Sequence, residues 1–142
     1  MPPTIREQIL QAFVVALQGT AQVGTRIYRS RVAALARGES PALVVEPLRD
    51  VPTNNVLPKL DWTFQVQVAI IVRGTAPDQL ADPIVDDVHK RRISNAPLIA
   101  LLTGLQPGPV AWLLVDGDQD AGVITLDYEV RYRTSFADLS LS

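Results

Sequence analysis

The sequence predicts an α+β fold, a two-layer sandwich in which helices pack on one face of an antiparallel or mixed four-stranded sheet. The first observation is an alternation of apolar and polar residues over 60–73 and again over 122–134. Because successive strand side chains point to opposite faces, each segment is predicted to be a long strand with one dry face and one polar face. The second observation is a pair of amphipathic helical segments, whose apolar stripes need a partner surface such as the dry face.

The first helix is predicted over 4–18. Thr4 and Glu7 have the spacing of a capping box, in which each side chain satisfies an amide of the first turn. The apolar stripe that follows consists of Ile5, Ile9, Phe13 and Leu17. A second helix is predicted over 79–94. Proline is tolerated at the start of a helix but not deep inside it, so Pro83 implies either that Asp82 is the cap or that the first turn is kinked.

The first half of the sheet is predicted from a short strand at 41–47 and the long strand at 60–73, paired as an antiparallel hairpin. Prolines enclose the short strand, and proline sits at strand ends or edges because it cannot donate to a ladder. The intervening residues 48–59 are predicted to form a polar loop. The segment 26–32 is read as either a short edge strand or an arm.

The second half of the sheet is predicted from a strand at 110–115 that pairs with the long strand at 122–134. A short helical segment at 97–103 and a break at Pro107-Gly108-Pro109 precede it, and we expect the tail 135–142 to be mobile. The polar face of the whole sheet is left for solvent or a partner. Its predicted members are Gln65, Gln67, Asp127, Glu129, Arg131 and Arg133.

Composition limits the classes of function. The chain has 142 residues, interpreted as a single domain over 1–142, and its formal net charge of −2 gives no general attraction to nucleic acid or anionic membrane. The absence of cysteine excludes disulfides, thiolate metal sites and thiol catalysis. We expect no signal peptide, since the N-terminus lacks a basic and apolar run, and no membrane span, since no stretch approaches ~18 consecutive apolar residues.

Candidate catalytic and metal-binding residues are sparse. His89 is the only histidine and lies in a basic cluster at a helix end, where positive charge complements the macrodipole; an anion or protein contact is the next interpretation. The segment 116–120 has the Asp-x-Asp-x-Asp spacing of a calcium loop, but Ala121 stands where that loop requires glycine. A hairpin turn is favoured instead. We therefore predict no enzyme, no cofactor and no metal.

A positive stretch surrounds Tyr28. Its members are Arg26, Arg29, Arg31 and Arg37. Arginine beside an aromatic residue is typical of nucleic-acid sites and also of protein–protein hot spots. Because the chain is net acidic, a protein contact is favoured.

The order of these segments resembles the tail terminator proteins of long-tailed bacteriophages, the group that includes the lambda minor tail protein U. The resemblance covers most of the chain. It begins with the helix from Ile5 to Leu17 and the arginine-rich segment that leads to Leu43-Val44-Val45. It continues through the strand 60–73 and the helix containing Leu80 and Ile84, and it ends with Trp112 and the strand containing Leu126-Asp127-Tyr128-Glu129-Val130-Arg131-Tyr132.

The resemblance implies a structural virion protein, assembled in the host cytoplasm and located at the neck of the tail. Such proteins form a hexameric ring on the last ring of the tail tube, end its polymerisation and present a surface to the head–neck connector protein. DNA passes through the lumen without specific binding. Candidate contacts between subunits or rings are Arg26, Tyr28, Arg29, Arg31, Asn54, Asn55, Asp116, Asp118, Arg131 and Arg133.

Two alternatives remain open at this stage. One is another phage neck or head-completion protein of similar architecture. The other is a small soluble α+β domain that binds a ligand or acts as an enzyme, which a deep apolar pocket with converging polar groups would favour.

Overall fold

The computed structural model describes residues 2–30, 40–115 and 120–142, with the backbone alone at 54–56 and 115. In chain order its elements are α1 (Ile5–Leu17), β1 (Ile27–Arg29), β2 (Ala42–Val56), β3 (Lys59–Arg73), α2 (Pro77–Ile93), α3 (Ala96–Ala100), β4 (Gly104–Val115) and β5 (Ala121–Ser135). The strands form one mixed sheet in the order β1-β2-β3-β5-β4. The α+β class is confirmed, whereas the predicted count of four strands is wrong.

The fifth strand is β1, which the sequence left as either an edge strand or an arm. Ile27–Arg29 pairs in parallel with residues 43–45 of β2, and the other three strand pairs are antiparallel. A three-residue strand carries too little periodicity to be recognised from sequence alone. Its pairing depends on β2 being present beside it.

The core lies between the helices and the face of the sheet that carries the even-numbered residues of β3 and β5. Phe13 of α1 and Ile84 of α2 are fully buried in one cluster with Phe64 of β3 and Ile124 of β5. The alternation between the more and the less buried side chains continues without exception from Ala121 to Ser135. The predicted dry and polar faces of the long strands are therefore confirmed.

The predicted polar loop at 48–59 is wrong, because β2 runs on to Val56 and only a tight turn separates it from β3. The backbone groups of Leu43 and Val45 face β1. Pro47 is two residues further along, where β1 has ended, so its nitrogen faces the same side of β2, which is open there. Proline is tolerated at such edge positions. Register shifts follow Pro47 and Pro52 and absorb the remaining irregularity.

The predicted break at Pro107-Gly108-Pro109 is also wrong, because these residues lie inside β4, which begins at Gly104. A register shift between Pro107 and Val110 accommodates them. A Cβ on Gly108 would lie 3.0 Å from the backbone oxygen of Asp127, so the close approach of two strands explains the glycine.

The helices follow the predicted bounds closely. The Thr4 hydroxyl accepts from the amide of Glu7, which is one half of the predicted capping box, while the Glu7 carboxylate accepts from Arg29 and Gln11 instead of from the Thr4 amide. The second helix begins earlier than predicted, at Pro77 after Ala76, so Asp82 is not its cap and Pro83 lies in its second turn. The short helix is α3, where the Asn95 side chain accepts from the amide of Leu98. No helix in the described ranges is long and apolar enough to cross a membrane.

The tail returns to the body of the domain. The amide of Ile5 donates to the Leu139 carbonyl, and the amide of Phe136 donates to the Pro58 carbonyl. The Lys59 ammonium donates to the terminal residue Ser142 at 2.6 Å. These bonds join the tail to both the start of α1 and the β2–β3 turn.

Candidate assembly interface

The outer strand β4 exposes a row of apolar side chains. Trp112 is 58% exposed, Leu113 63% and Leu114 55%. On β5, odd-numbered residues turn their backbone groups toward β4, as the bond from the Thr103 amide to the Arg131 carbonyl shows. Trp112 and Leu114 lie opposite even-numbered residues, so their amide and carbonyl groups point away from the sheet. No strand in the described part of the chain covers this edge.

A cleft of about 420 Å³ lies between this edge and the start of α2. It is lined by Trp112, Asp78, Gln79 and Asp82. Asp78 occupies the first turn of α2, where the helix dipole favours a negative charge. No hydrogen bond or ion pair joins Asp78 or Asp82 to another described residue. The cleft therefore combines an open indole face with two uncompensated carboxylates, a combination that suits a cationic side chain.

Two of the basic residues that the sequence singled out lie at the opposite outer strand, β1, which ends at Arg29 and is immediately preceded by Arg26. Arg29 makes two hydrogen bonds to the Glu7 carboxylate of α1, at 2.5 and 3.1 Å. This bonding holds the pKa of Glu7 below its ordinary 4.5. Arg26 donates from Nε to the Pro41 carbonyl and from Nη2 to the Gln22 carbonyl. Tyr28 lies between them on β1 and is half-buried.

The two other predicted arginines lie on the polar face of the sheet. Arg133 pairs with Asp61 at 2.6 Å and lowers the pKa of that carboxyl, while Arg131 pairs with Glu129 of its own strand at 2.9 Å. The backbone of Asn54 is in register with Asp61. Asn54, Asp61 and Arg133 thus occupy one row across three strands, with Asn55 next to it.

The predicted interface residues therefore divide into two groups. Tyr28 and Arg29 belong to one outer strand, which Arg26 immediately precedes, and Arg131 and Arg133 lie with the end of β2 on the polar face. Asp116 and Asp118, like Arg31, fall outside the described residues, so the predicted turn and calcium-like loop are not described.

The exposed edge of β4 was missed as a candidate interface. Residues 110–115 are apolar on both phases, a pattern that does not distinguish a strand buried on both faces from an exposed outer strand. The carboxylates of the cleft gave only a weak indication of a site in the sequence. Asp78 and Asp82 are four residues apart and therefore lie on one face of α2, but that spacing alone does not indicate a binding site.

A second unpredicted cluster surrounds Asp50 of β2. Arg6 donates to its Oδ2 at 2.6 Å and Tyr132 also donates to that oxygen, while Oδ1 is buried without a partner among the described residues. Burial, reinforced by the hydrogen bond to Asp50, raises the pKa of Tyr132. Trp62 stacks on Tyr132 with ring centroids 6.2 Å apart, and the Arg6 guanidinium lies 5.4 Å from the Trp62 ring. The cluster fastens α1 to β2 and β5.

Groups typical of catalysis do not converge in the described residues. His89 is half-buried late in α2, and no group of three or more His, Cys, Asp or Glu side chains in the described ranges could hold a metal. The cleft beside Asp50, about 410 Å³ in volume, is also lined by Pro47, Leu48, Arg49 and Phe64. Its described lining contains one carboxylate and two arginines, without a histidine or a hydroxyl nucleophile.

No family model matches the sequence of this chain, and the curated proteins contain no significant match.

Proposed function

We propose that this protein is a structural subunit that assembles into a ring and caps the end of a phage tail tube, joining the tail to the neck of the virion. In this role it acts as a tail terminator without cofactor or catalysis. The observation that carries the proposal is the exposed apolar edge of β4. Long apolar edge strands are association sites that a free monomer normally blunts with charge or proline.

The rest of the fold supports an assembly role. The central strands β3 and β5 pair along their whole length, from Lys59 with Ser135 to Arg73 with Ala121. Such a sheet is a stiff wall with a polar face that remains hydrated. The sheet also has two unlike outer strands, and unlike edges favour a head-to-tail contact, which generates a ring when its rotation closes.

Termination requires that the two ends of the ring differ, so that one end binds tube and the other does not. The two ends of this sheet do differ. One end has the β2–β3 turn, to which the tail is bonded through Phe136. The opposite end has the start of α2, at Pro77. A ring of parallel copies would present the first set of groups on one rim and the second on the other.

The test measures the solution mass of the purified chain by light scattering, alone and with the candidate tube protein polymerised in vitro. We expect either a mass near six times 15.5 kDa, or a monomer that forms rings only at tube ends. Electron micrographs should show that tubes stop growing once capped. A chain that stays monomeric and leaves tube length unchanged at every concentration would refute the proposal and favour a ligand-binding domain.

A matched pair of variants links the test to β4. Leu113→Lys places a charge on the exposed edge, whereas Val15→Lys places it on the outer side of α1, where the valine is similarly exposed. Both variants should fold, since neither side chain belongs to the core. Loss of ring formation in Leu113→Lys alone is expected, and equal assembly by both variants would remove the support that β4 gives.

A further inference from the structure

The outer strands β1 and β4 run in opposite directions. β1 is parallel to β2, and three antiparallel steps through β3 and β5 lead from β2 to β4. If a second copy is placed beside the first in the same orientation, β1 of one copy lies antiparallel to β4 of the other. Antiparallel pairing is the slightly more stable arrangement and needs no crossover.

The free backbone groups of these two edges also correspond. The bonds from the Leu43 amide to the Arg26 carbonyl and from the Ser30 amide to the Val45 carbonyl assign alternate residues of β1 to β2. The Ile27 carbonyl and both backbone groups of Arg29 therefore face outward. Residues that are in register across the strands form a row. If these rows continue straight into the next copy, Ile27 lies beside Trp112 and Arg29 beside Val110, and the backbone groups of Trp112 and Val110 also face outward.

The side chains of the two strands match in face as well. Ile27 belongs to the core on the helix side, and Trp112 is in register with the buried Ile124 on that side. Tyr28 and Ala111 both lie on the opposite face, since their register partners are Val44 and Thr125. A straight continuation of the sheet would thus extend both of its faces from copy to copy.

The charges favour unlike edges meeting. Arg26 and Arg29 flank β1, and Asp78 and Asp82 flank Trp112 beside β4. Pairing β4 with β4 would bring two pairs of uncompensated carboxylates together, which is unfavourable, whereas at β1 the charge of Arg29 is already shared with Glu7. Pairing β1 with β4 brings opposite charges together.

We infer that β1 of one copy adds to the open edge of β4 in the next copy, in antiparallel register, with Arg29 of β1 approaching the Asp78–Asp82–Trp112 cleft. The occupant of the cleft is thus a second copy of this chain. The inference rests on the proposed function only in supposing that the protein assembles, and it names the surfaces that do so.

The absence of native cysteine permits a direct test. We would make the double variant Tyr28→Cys with Ala111→Cys and oxidise it under assembly conditions. In one copy the two positions are four strands apart, roughly 19 Å at ~4.8 Å per strand, too far for an internal disulfide. In the proposed contact they form a non-hydrogen-bonded pair with Cα atoms ~4.5 Å apart, which is within disulfide range.

Two further variants serve as register and face controls. Tyr28→Cys with Leu113→Cys reports a contact staggered by two residues, and Tyr28→Cys with Val110→Cys places the thiols on opposite faces. We expect a ladder of covalent multimers on a non-reducing gel from the first or second variant and none from the third. Circular dichroism establishes that each variant is folded before oxidation.

The outcomes separate this inference from the proposed function. Rings without a ladder from either same-face variant would overturn the inference and leave the ring proposal standing. A ladder from a protein that ignores tube ends would support the inference and refute the terminator role. A chain that never associates, alone or with tubes, would overturn both.

A charge variant gives an independent measurement on the same contact. Asp82→Lys should weaken assembly about tenfold at low salt, with a smaller loss as salt screens the contact. Asp86→Lys is the matched control, because it makes the same change one turn along α2, where Asp86 already pairs with Lys90. Equal weakening by the two variants would contradict an approach to the cleft.

Discussion

Replacing Arg92 with methionine should stabilise the folded protein. Arg92 lies in the last turn of α2, is fully buried, and none of its three guanidinium nitrogens has a hydrogen-bond partner in the described structure. Its guanidinium lies 3.0 Å from the centroid of the Tyr128 ring and 5.7 Å from that of Phe13. The described contacts of the charge are thus with Tyr128 and Phe13, whereas methionine would fill the same space without a charge.

The magnitude follows from two opposing terms. Burial lowers the pKa of Arg92 from its ordinary 12.5 to about 10, which corresponds to a cost of ~3 kcal/mol for keeping the charged form in the fold. Methionine removes that cost but also loses cation–π contacts worth ~2 kcal/mol or more when desolvated. A net gain of about 1 kcal/mol is expected, and ~3 kcal/mol is the ceiling if methionine's own aromatic contacts replace those lost.

The assay is urea unfolding of the parent and the Arg92→Met variant at neutral pH. The direction of the pH dependence is fixed. A base whose pKa is lowered in the folded state carries its full destabilising penalty at every pH below that lowered pKa. The penalty is relieved only as pH rises above about 10. The stability difference should therefore be constant from about pH 6 to pH 9 and narrow above pH 10.

Arg91→Met is the matched control, because Arg91 is solvated and pairs with Asp87 and with the carbonyls of Gln18 and Gly19. It should lose stability slightly or not at all. An Arg92→Met variant less stable than the parent by 2 kcal/mol or more would refute the reasoning. It would mean that the aromatic contacts outweigh desolvation.

Two further predictions concern local packing and charge. Gly122→Ala should lower the free energy of unfolding in urea by ~1–3 kcal/mol, because the new Cβ would lie 2.7 Å from Cβ of Pro77. Gly104→Ala is the control and should cost little, because the nearest neighbour of its new Cβ is at 3.7 Å. Equal losses of stability in the two variants would contradict the packing argument. Arg29→Gln should lower the melting temperature slightly at pH 7 but not at pH 3: the depressed pKa of Glu7 stabilises the fold above its unfolded value of 4.5, and that stabilisation is lost as pH falls. A difference that persists unchanged at pH 3 would show that the carboxylate is not its source.

The elements that the sequence predicted well are those whose pattern is local. The Thr4 cap marked the start of α1, and the period of two marked both faces of β3 and β5. The elements it missed depend on neighbours. Pro47 predicts the end of a strand, and only the position of β1 shows that its nitrogen lies on an open edge. Residues 107–109 predict a break, and only the register shift against β5 shows that they lie inside a strand.

Arg92 shows how residue type can hide a position. The sequence assigned the basic cluster at the end of α2 to a solvated face that complements the helix dipole. Arg92 nevertheless lies four residues after Val88 and eight after Ile84, so it continues the buried stripe of α2. The spacing carried the correct signal, and the charge concealed it. The opposite happened at the candidate interface. The residues of β4 are apolar, and this pattern gave no sign that β4 is an exposed outer strand.

The distribution of proline on the two outer edges argues further for a head-to-tail contact. On the β2 side, Pro47 turns its nitrogen outward and Pro52 lies near a second register shift, so the stretch beyond β1 is a poor partner for another strand. On β4, Pro107 and Pro109 similarly blunt the half nearest Gly104. The stretches left open are β1 and residues 110–114, and these lie at the same level of the sheet. Because proline protects one half of each edge, strand pairing between copies is limited to the other half. Only a neighbouring copy in the same orientation places its own open stretch beside that half.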